Sequence, residues 1–270
     1  MELTDTGMYY GKTGSGSKTL LLFHGFCQDH RVFDDLTRSI SNHYTCYSFD
    51  LFFHGHTRRS DAADPVSPEE WKSLLTAFLQ AENIKQFSLL GYSIGARLVL
   101  ATIPMFSERI ESVYLIAPDG IKDNFWFTMA TQYGPTRMLF RKTVTNPGLL
   151  TGIIGITSSL KLMHPSILRF ARNQMRTQEQ RQRIYDTWMM FSKLTANLQV
   201  LATKINQSRI EVTLILGKRD RLIPHHETIS FIRSINKGRL VQLDSGHSGL
   251  IQAASQQSKR IFKAFDESQH

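Results

Sequence analysis

A serine flanked by glycines carries the strongest chemical signal in this chain of 270 residues. The segment Gly91-Tyr92-Ser93-Ile94-Gly95 stands directly after an apolar run and directly before a helical pattern. A strand that turns sharply into a helix holds its central serine in a strained backbone conformation, and side chains at the two glycine positions would collide across the turn. The spacing therefore predicts that Ser93 is a nucleophile at the end of a buried strand.

Five short apolar runs predict the strands that position this serine. Their residues do not alternate with polar ones, which is typical of strands buried on both faces in a parallel sheet. The runs are Thr19–Phe23, Thr45–Phe49, Phe87–Leu90, Val113–Ile116 and Val212–Leu216, and a sixth run, Arg239–Leu243, precedes Asp244-Ser245-Gly246. Helical patterns lie between them, and residues 67–82 begin with Ser67 as N-cap, Pro68 at the first helical position and Glu70 three residues after the cap. This alternation predicts an α/β fold with a mostly parallel central sheet and helices on both faces.

Four loop motifs at the ends of predicted strands resemble those of a known family. They are His24-Gly25-Phe26, Asp50 to Thr57, Gly217 to Asp220, and Asp244 to His247. Together with the glycine-flanked serine, these motifs make nearly the whole chain resemble the α/β-hydrolase family with a helical cap domain. Phe53 stands where the second of these loops usually has a glycine. The resemblance implies the α/β-hydrolase fold.

The resemblance also supplies partners for the nucleophile, in the chain order Ser93, Asp220, His247 that is expected of this fold. A serine hydroxyl is a poor nucleophile at neutral pH and needs an adjacent base. His247 is expected to take the proton from Ser93 and later deliver it to the leaving group, while Asp220 holds the imidazole and stabilises its charged form. Asp119, which also follows a strand, is the alternative acid, because some hydrolases of this fold keep the acid there.

Two backbone N–H groups are expected to stabilise the negative charge that develops on a substrate carbonyl oxygen. One belongs to Ile94, after the nucleophile, and the other to Phe26, in the loop after the first predicted strand. This chemistry needs no metal or organic cofactor. The two cysteines, Cys27 and Cys46, are too few for a disulfide framework, and no Cys/His cluster is spaced for zinc. The sequence therefore predicts neither a metal nor a cofactor.

The alternation of strands and helices breaks between Ile121 and Ile205, where several helical patterns occur without a clear strand. Ligands bind at the carboxyl ends of the strands in α/β sheets, so a helical insertion at this place is most simply a lid. The predicted organisation is a discontinuous core of residues 1–120 and 206–270, with a helical cap at 121–205.

The formal charge of +9 is concentrated in the predicted cap. The whole chain has 32 Lys and Arg against 23 Asp and Glu, whereas residues 121–205 have twelve basic and three acidic residues. Three interpretations stay open: a solvated basic helix face, arginines that bind a carboxylate or phosphate of the substrate, or contact with an anionic lipid surface. Nucleic acid is not predicted as a partner, because a basic stripe without a recognised binding motif is weak evidence.

The composition and the chain ends bear on location. Hydrophobic residues make up 41% and charged residues 20% of the chain, which excludes disordered and collagen-like classes. No basic segment followed by an apolar run occurs near Met1, and no stretch of about 18 apolar residues occurs anywhere, so neither a signal peptide nor a transmembrane segment is expected. Two isolated cysteines suit a reducing compartment, and a cytoplasmic location is predicted. The sequence does not predict an oligomeric state.

These features predict a serine hydrolase that cleaves a carboxylic ester or thioester of a small molecule through an acyl-enzyme on Ser93. Since one fold hosts several reactions, a carbon–carbon bond hydrolase or a retro-ene lyase with a similar cap is the alternative enzyme. A weakly catalytic receptor or binding protein for a small molecule is the alternative from another class.

Overall fold

A seven-stranded sheet organises the chain. The computed structural model describes residues 8–59, 64–122, 125–160, 165–223 and 225–262, apart from the side chains at 166, 167, 170 and 171. The strands are β1 (Tyr10–Thr13), β2 (Lys18–Phe23), β3 (Tyr44–Phe49), β4 (Phe87–Tyr92), β5 (Ile110–Ile116), β6 (Glu211–Gly217) and β7 (Gly238–Leu243). Their order is β1-β3-β2-β4-β5-β6-β7, with β1 antiparallel to β3 and every other pair parallel. The predicted α/β fold with a mostly parallel sheet is confirmed.

The six predicted strands correspond to β2 to β7, whereas β1 was missed. Strands β2 to β6 are almost wholly buried, so their continuous apolar runs are visible in the sequence. β1 is only four residues long and contains Gly11 and Lys12, of which Lys12 is exposed. Such an edge strand is held by its pairing with β3 rather than by its own burial. Its sequence therefore lacks the apolar pattern on which the prediction depended.

Helices connect the strands and fill the segment between β5 and β6. They are α1 (Asp34–Ile40), α2 (Pro68–Ala81), α3 (Gly95–Phe106), α4 (Phe125–Gln132), α5 (Gly134–Thr145), α6 (Pro147–Ser159), α7 (Pro165–Gln174), α8 (Gln178–Met190), α9 (Leu198–Gln207), α10 (His225–Arg233), α11 (Leu250–Gln256) and α12 (Ser258–Phe262). The predicted start of α2 is confirmed in its local geometry, since the Ser67 side chain accepts a hydrogen bond from the Glu70 N–H at 3.1 Å. In the described part of the chain, no helix is long and apolar enough to cross a membrane.

The chain divides into two compact units. The first comprises residues 1–58, 67–122 and 194–270, and contains the whole sheet; the second comprises 59–66 and 123–193. These limits differ from the predicted boundaries, because α9 belongs to the first unit, where it packs on α3. The division into a catalytic core and a substrate-covering cap at 121–205 stays a prediction.

Two arginines of the second unit bond to groups within that unit. Arg181 is buried, and its guanidinium donates hydrogen bonds to the backbone carbonyls of Val144 at 2.9 Å, Met175 at 3.2 Å and Arg176 at 3.1 Å. Arg183 pairs with Glu179 one helical turn away, at 2.9 Å. Arg181 therefore joins α8 to backbone groups outside its own helix, whereas the Arg183 pair lies within one helix on the surface.

Candidate active site

The glycine-flanked serine lies at a sharp turn between β4 and α3. β4 ends at Tyr92 and α3 begins at Gly95, and between them Ser93 has a positive φ of 51°, a left-handed conformation that is costly for a residue with a side chain. A Cβ atom at Gly95 would lie 2.2 Å from the Phe23 carbonyl oxygen. The Ser93 N–H donates to the Ile116 carbonyl on the neighbouring strand at 3.0 Å. The strained serine is therefore held by the adjacent strands at the carboxyl edge of the sheet.

Three side chains from distant parts of the sequence meet at this turn. Ser93 Oγ lies 3.1 Å from His247 Nε2, and His247 Nδ1 lies 2.7 Å from Asp220 Oδ2. Asp220 follows β6 and His247 follows β7, so parallel strands bring both residues to the same edge as the serine. The arrangement is a continuous hydrogen-bonded chain from carboxylate to imidazole to hydroxyl.

Asp220, at the carboxylate end of this hydrogen-bonded chain of side chains, is buried and anionic. Burial by itself opposes ionisation of Asp220, but the hydrogen bond and charge of His247, with the backbone N–H groups of Leu222 and Ile223, outweigh it and lower the pKa of Asp220 below its usual value. The Leu222 N–H donates to Asp220 Oδ1 at 2.8 Å, which leaves Oδ2 for the imidazole. An ionised carboxylate at Nδ1 leaves Nε2 free to accept the serine proton.

The alternative acid, Asp119, is engaged elsewhere. Its carboxylate accepts hydrogen bonds from the buried Arg97 guanidinium, at 2.7 Å from Nε and 3.3 Å from Nη2. The Asp119 N–H donates to the Ser93 carbonyl at 3.0 Å. Asp119 therefore supports the backbone of the turn, while Asp220 contacts His247.

One predicted oxyanion donor, Ile94, lies in the serine turn, and the other, Phe26, lies in the loop after β2. In the described part of the chain, neither the Ile94 N–H nor the Phe26 N–H donates a hydrogen bond to another protein group. Ile94 directly precedes α3, so its N–H lies at the positive end of a helix. The assignment of these two N–H groups as oxyanion donors stays a prediction.

A histidine in the second family-like loop holds the loop that carries Phe26. His54 Nε2 accepts a hydrogen bond from the Cys27 N–H at 3.1 Å, while its Nδ1 lies 2.8 Å from the Phe52 carbonyl. A ring nitrogen that accepts a hydrogen bond carries no proton, so Nε2 is unprotonated. Nδ1, which faces the Phe52 carbonyl, then carries the proton of a neutral imidazole. Phe53, at the position where the family usually has glycine, adopts a φ of 64°, the conformation that glycine adopts at little cost.

Tyr92 is the residue that the sequence pattern did not single out. It occupies the variable position before Ser93, to which the glycine-flanked motif gives no side-chain role. Its hydroxyl donates a hydrogen bond to the His247 backbone carbonyl at 2.9 Å, and its ring lies 5.3 Å from the imidazole, centroid to centroid. A Cβ atom at Gly25 would lie 2.8 Å from the same ring. One side chain thus contacts both the histidine and the loop that carries Phe26.

Known proteins with similar sequences and structures include esterases and other hydrolases. A pimeloyl-acyl-carrier protein methyl ester esterase of Aliivibrio fischeri is 28% identical over 112 residues, which are 42% of this chain and 40% of that protein. A thermophilic esterase from Thermogutta terrifontis superposes with a TM-score of 0.68 at 18% identity, covering 97% of this chain and 92% of the other. A meta-cleavage product hydrolase from Pseudomonas fluorescens IP01 gives 0.64 at 18% identity, with 97% and 94% covered. At these identities, the two structures show a shared fold.

The family model for the alpha/beta hydrolase fold matches residues 18–254, which include every strand except β1 and all three members of the hydrogen-bonded chain. The chain therefore belongs to the α/β-hydrolase family.

Proposed function

We propose that this protein is a serine hydrolase that cleaves a carboxylic ester or thioester of a small molecule. The observation that carries the proposal is the continuous chain from Asp220 through His247 to Ser93, with contacts of 2.7 and 3.1 Å. A carboxylate, an imidazole and a strained serine in this order are the groups that nucleophilic acyl transfer requires. The esterase among the relatives supports the same class of reaction.

The proposed reaction proceeds in two halves. Ser93 Oγ attacks the substrate carbonyl carbon as its proton passes to His247 Nε2, and the N–H groups of Phe26 and Ile94 bind the resulting oxyanion. The tetrahedral intermediate then expels the alcohol or thiol, which takes the proton from the imidazolium and leaves an ester on Ser93. Water attacks that ester with His247 again accepting a proton, and release of the carboxylic acid restores the serine hydroxyl.

A fluorophosphonate probe tests the nucleophile directly. The native protein is expected to be labelled at one site, and Ser93→Ala to be unlabelled, because the probe forms a covalent bond with an activated serine. Ser39→Ala is the matched control, since Ser39 is an exposed helical serine whose hydroxyl bonds a carbonyl of its own helix at 2.7 Å. Equal labelling of Ser93→Ala and the native protein, read by intact-mass spectrometry, would refute the mechanism.

A panel of p-nitrophenyl esters of rising acyl length then tests the reaction type. We expect turnover by the native protein and a loss of kcat of about 10⁴-fold in Asp220→Asn, because the amide cannot stabilise the same imidazole tautomer and charge. Negligible turnover across the panel, in a protein that the probe labels well, would instead favour carbon–carbon bond cleavage or a binding protein.

The same panel tests whether the substrate is anionic. If the basic residues of 121–205 bind a substrate carboxylate, esters that carry a second carboxylate will react faster than neutral ones at low salt, and the preference will weaken as salt is added. No preference at low salt would refute binding of a substrate carboxylate by these residues.

A further inference from the structure

Asp50, at the carboxyl end of β3, has a fully buried carboxylate that is not part of the Ser93 site. It accepts hydrogen bonds from the backbone N–H groups of His30 and His56, each at 2.7 Å, one on each carboxylate oxygen. Two backbone donors favour the ionised form of a buried carboxylate and fix its orientation. The result is a rigid anionic oxygen pair close beneath the protein surface.

The same two histidines direct their imidazoles toward this carboxylate. His30 Nδ1 lies 2.8 Å from Asp50 Oδ1, and His56 Nδ1 lies 3.5 Å from Asp50 Oδ2. The His30 side chain is 14% exposed and that of His56 is 63% exposed, so the cluster opens to solvent on the His56 side. Among the described residues, this is the one group of three histidine, cysteine or acidic side chains with ligand atoms within 4.8 Å of one another.

The surrounding backbone and side chains preorganise the three groups. The Tyr9 ring lies against both imidazoles, with centroids 5.1 Å from His30 and 4.6 Å from His56. Gly55 has a φ of 52°, and a Cβ atom there would lie 2.0 Å from Asp50 Oδ2, so only glycine lets the loop turn over the carboxylate and present His56. The Asp50 N–H in turn donates to the Tyr9 carbonyl at 2.9 Å.

We propose that His30, Asp50 and His56 form a binding site for one divalent transition-metal ion of the Zn²⁺ class. Two imidazole nitrogens and one carboxylate oxygen are a donor set that Zn²⁺ accepts, with water completing four-coordination on the solvent side. The 3.5 Å between His56 Nδ1 and Asp50 Oδ2 suits two atoms that share one tetrahedral ion at bond lengths near 2.0–2.2 Å, whereas the 2.8 Å hydrogen-bond contact of His30 Nδ1 with Oδ1 must lengthen when the ion enters. The exposed His56 ring provides the small movement needed for closure.

Binding requires His30 to present an unprotonated Nδ1 to the metal. In the metal-free site, a hydrogen on Nδ1 of the neutral imidazole joins it to Asp50 Oδ1. The ion takes the place of this hydrogen; the Nδ1 proton leaves to solvent and Nε2 takes up a proton, so the ring stays a neutral imidazole. The ion would join the short 3-10 helix that begins at His30 to the loop that ends at Thr57. The Thr57 hydroxyl donates a hydrogen bond to the Asp50 carbonyl at 2.8 Å. Binding of the ion is therefore expected to stabilise the fold.

Isothermal titration calorimetry of chelator-treated protein with Zn²⁺ tests the site. We expect one ion per chain, a rise in the thermal unfolding temperature with Zn²⁺, and an affinity about tenfold or more weaker in His56→Ala. His43→Ala is the matched control, because His43 is an exposed histidine in the same compact unit and lies outside the cluster. His30→Gln is expected to weaken binding similarly.

Spectroscopy and the catalytic variant separate this site from the Ser93 chemistry. Bound Cu²⁺ should show coupling to two imidazole nitrogens in the native protein and to one in His56→Ala, by electron paramagnetic resonance. Ser93→Ala should bind Zn²⁺ as tightly as the native protein, so failure of the hydrolase mechanism would leave the result intact. No Zn²⁺ binding tighter than about 1 mM, or equal losses in His56→Ala and His43→Ala, would overturn the proposal.

Discussion

At the scale of single residues, Tyr92 determines how well the histidine of the site is held. A catalytic group must stay within a fraction of an ångström of its productive position, and the side chains behind it set that precision. The Tyr92 hydroxyl fixes the His247 backbone through its carbonyl, while the tyrosine ring packs beside the imidazole. In the proposed reaction, Tyr92 therefore acts through His247 as a positioning residue.

Replacing Tyr92 by phenylalanine keeps the ring and removes only the hydrogen bond. Loss of one such bond is worth about 1 kcal/mol, so the rate of fluorophosphonate labelling is expected to fall about fivefold, with KM for esters nearly unchanged. Tyr44→Phe is the control, because this buried tyrosine places its hydroxyl 3.3 Å from that of Tyr114, so the exchange removes a similar contact away from His247. A labelling rate in Tyr92→Phe equal to that of Tyr44→Phe would contradict the positioning role.

At the scale of elements, the junction of β4 and α3 depends on close approach of two backbones. A Cβ atom at Gly91 would lie 2.6 Å from the Ala96 Cα, and one at Gly95 would lie 2.2 Å from the Phe23 carbonyl oxygen. The junction thus packs strand, helix and the neighbouring strand β2 with no space for a methyl group. The strain at Ser93 persists because these three elements determine it together.

A single methyl group is therefore expected to disrupt the junction. Gly95→Ala should lose Ser93 labelling at least tenfold, because the backbone must shift to relieve the contact with the Phe23 carbonyl. Gly155→Ala is the comparison, since a Cβ atom at that position of α6 meets nothing within 4 Å. There the exchange should leave labelling unchanged and raise helix stability by about 1 kcal/mol. Labelling and circular dichroism of both variants check the contrast.

At the scale of the whole molecule, a buried histidine joins two loops at the carboxyl edge of the sheet. His24 Nε2 accepts a hydrogen bond from the Leu51 N–H at 3.0 Å, and His24 Nδ1 lies 2.7 Å from the Gly25 carbonyl. Complete burial, with a smaller contribution from His54, lowers the pKa of His24 to about 3. Between about pH 6.5 and pH 3, the folded chain therefore holds this imidazole neutral while an unfolded chain would protonate it.

This difference makes stability depend on pH. Below the unfolded pKa of about 6.5, only the unfolded state binds the extra proton, so stability falls as pH decreases from about 6.5 toward 3. At pH 5 the loss from His24 alone is about 2 kcal/mol relative to pH 8. The asparagine in His24→Asn cannot protonate, so the free energy of unfolding of this variant should fall by about 2 kcal/mol less between pH 8 and pH 5 than that of the native protein. Urea denaturation at both pH values measures this difference, and His43→Ala should behave like the native protein. An unchanged pH dependence in His24→Asn would refute the linkage.

Much of the fold and of the candidate site was predictable because the relevant signals are local. The buried strands β2 to β6 show in continuous apolar runs, and the strained serine shows in the glycines at 91 and 95, since both features are imposed on neighbouring residues. Family resemblance supplied Asp220 and His247, and the structure places both within hydrogen-bond distance of one another. The edge strand β1 escaped prediction because pairing with β3, rather than its own residues, holds it in place.

The sequence by itself determined the parallel sheet, the serine turn and the chain order of the candidate triad. Only the tertiary structure shows that the carboxylate of Asp220 meets His247 and that of Asp119 meets Arg97, because both aspartates follow strands and the sequence leaves both as candidate acids. It also showed the contact of Tyr92 with His247, across 155 positions of sequence, and the meeting of His30, Asp50 and His56. Such contacts depend on how strands are ordered in the sheet, and no spacing along the chain encodes that order locally.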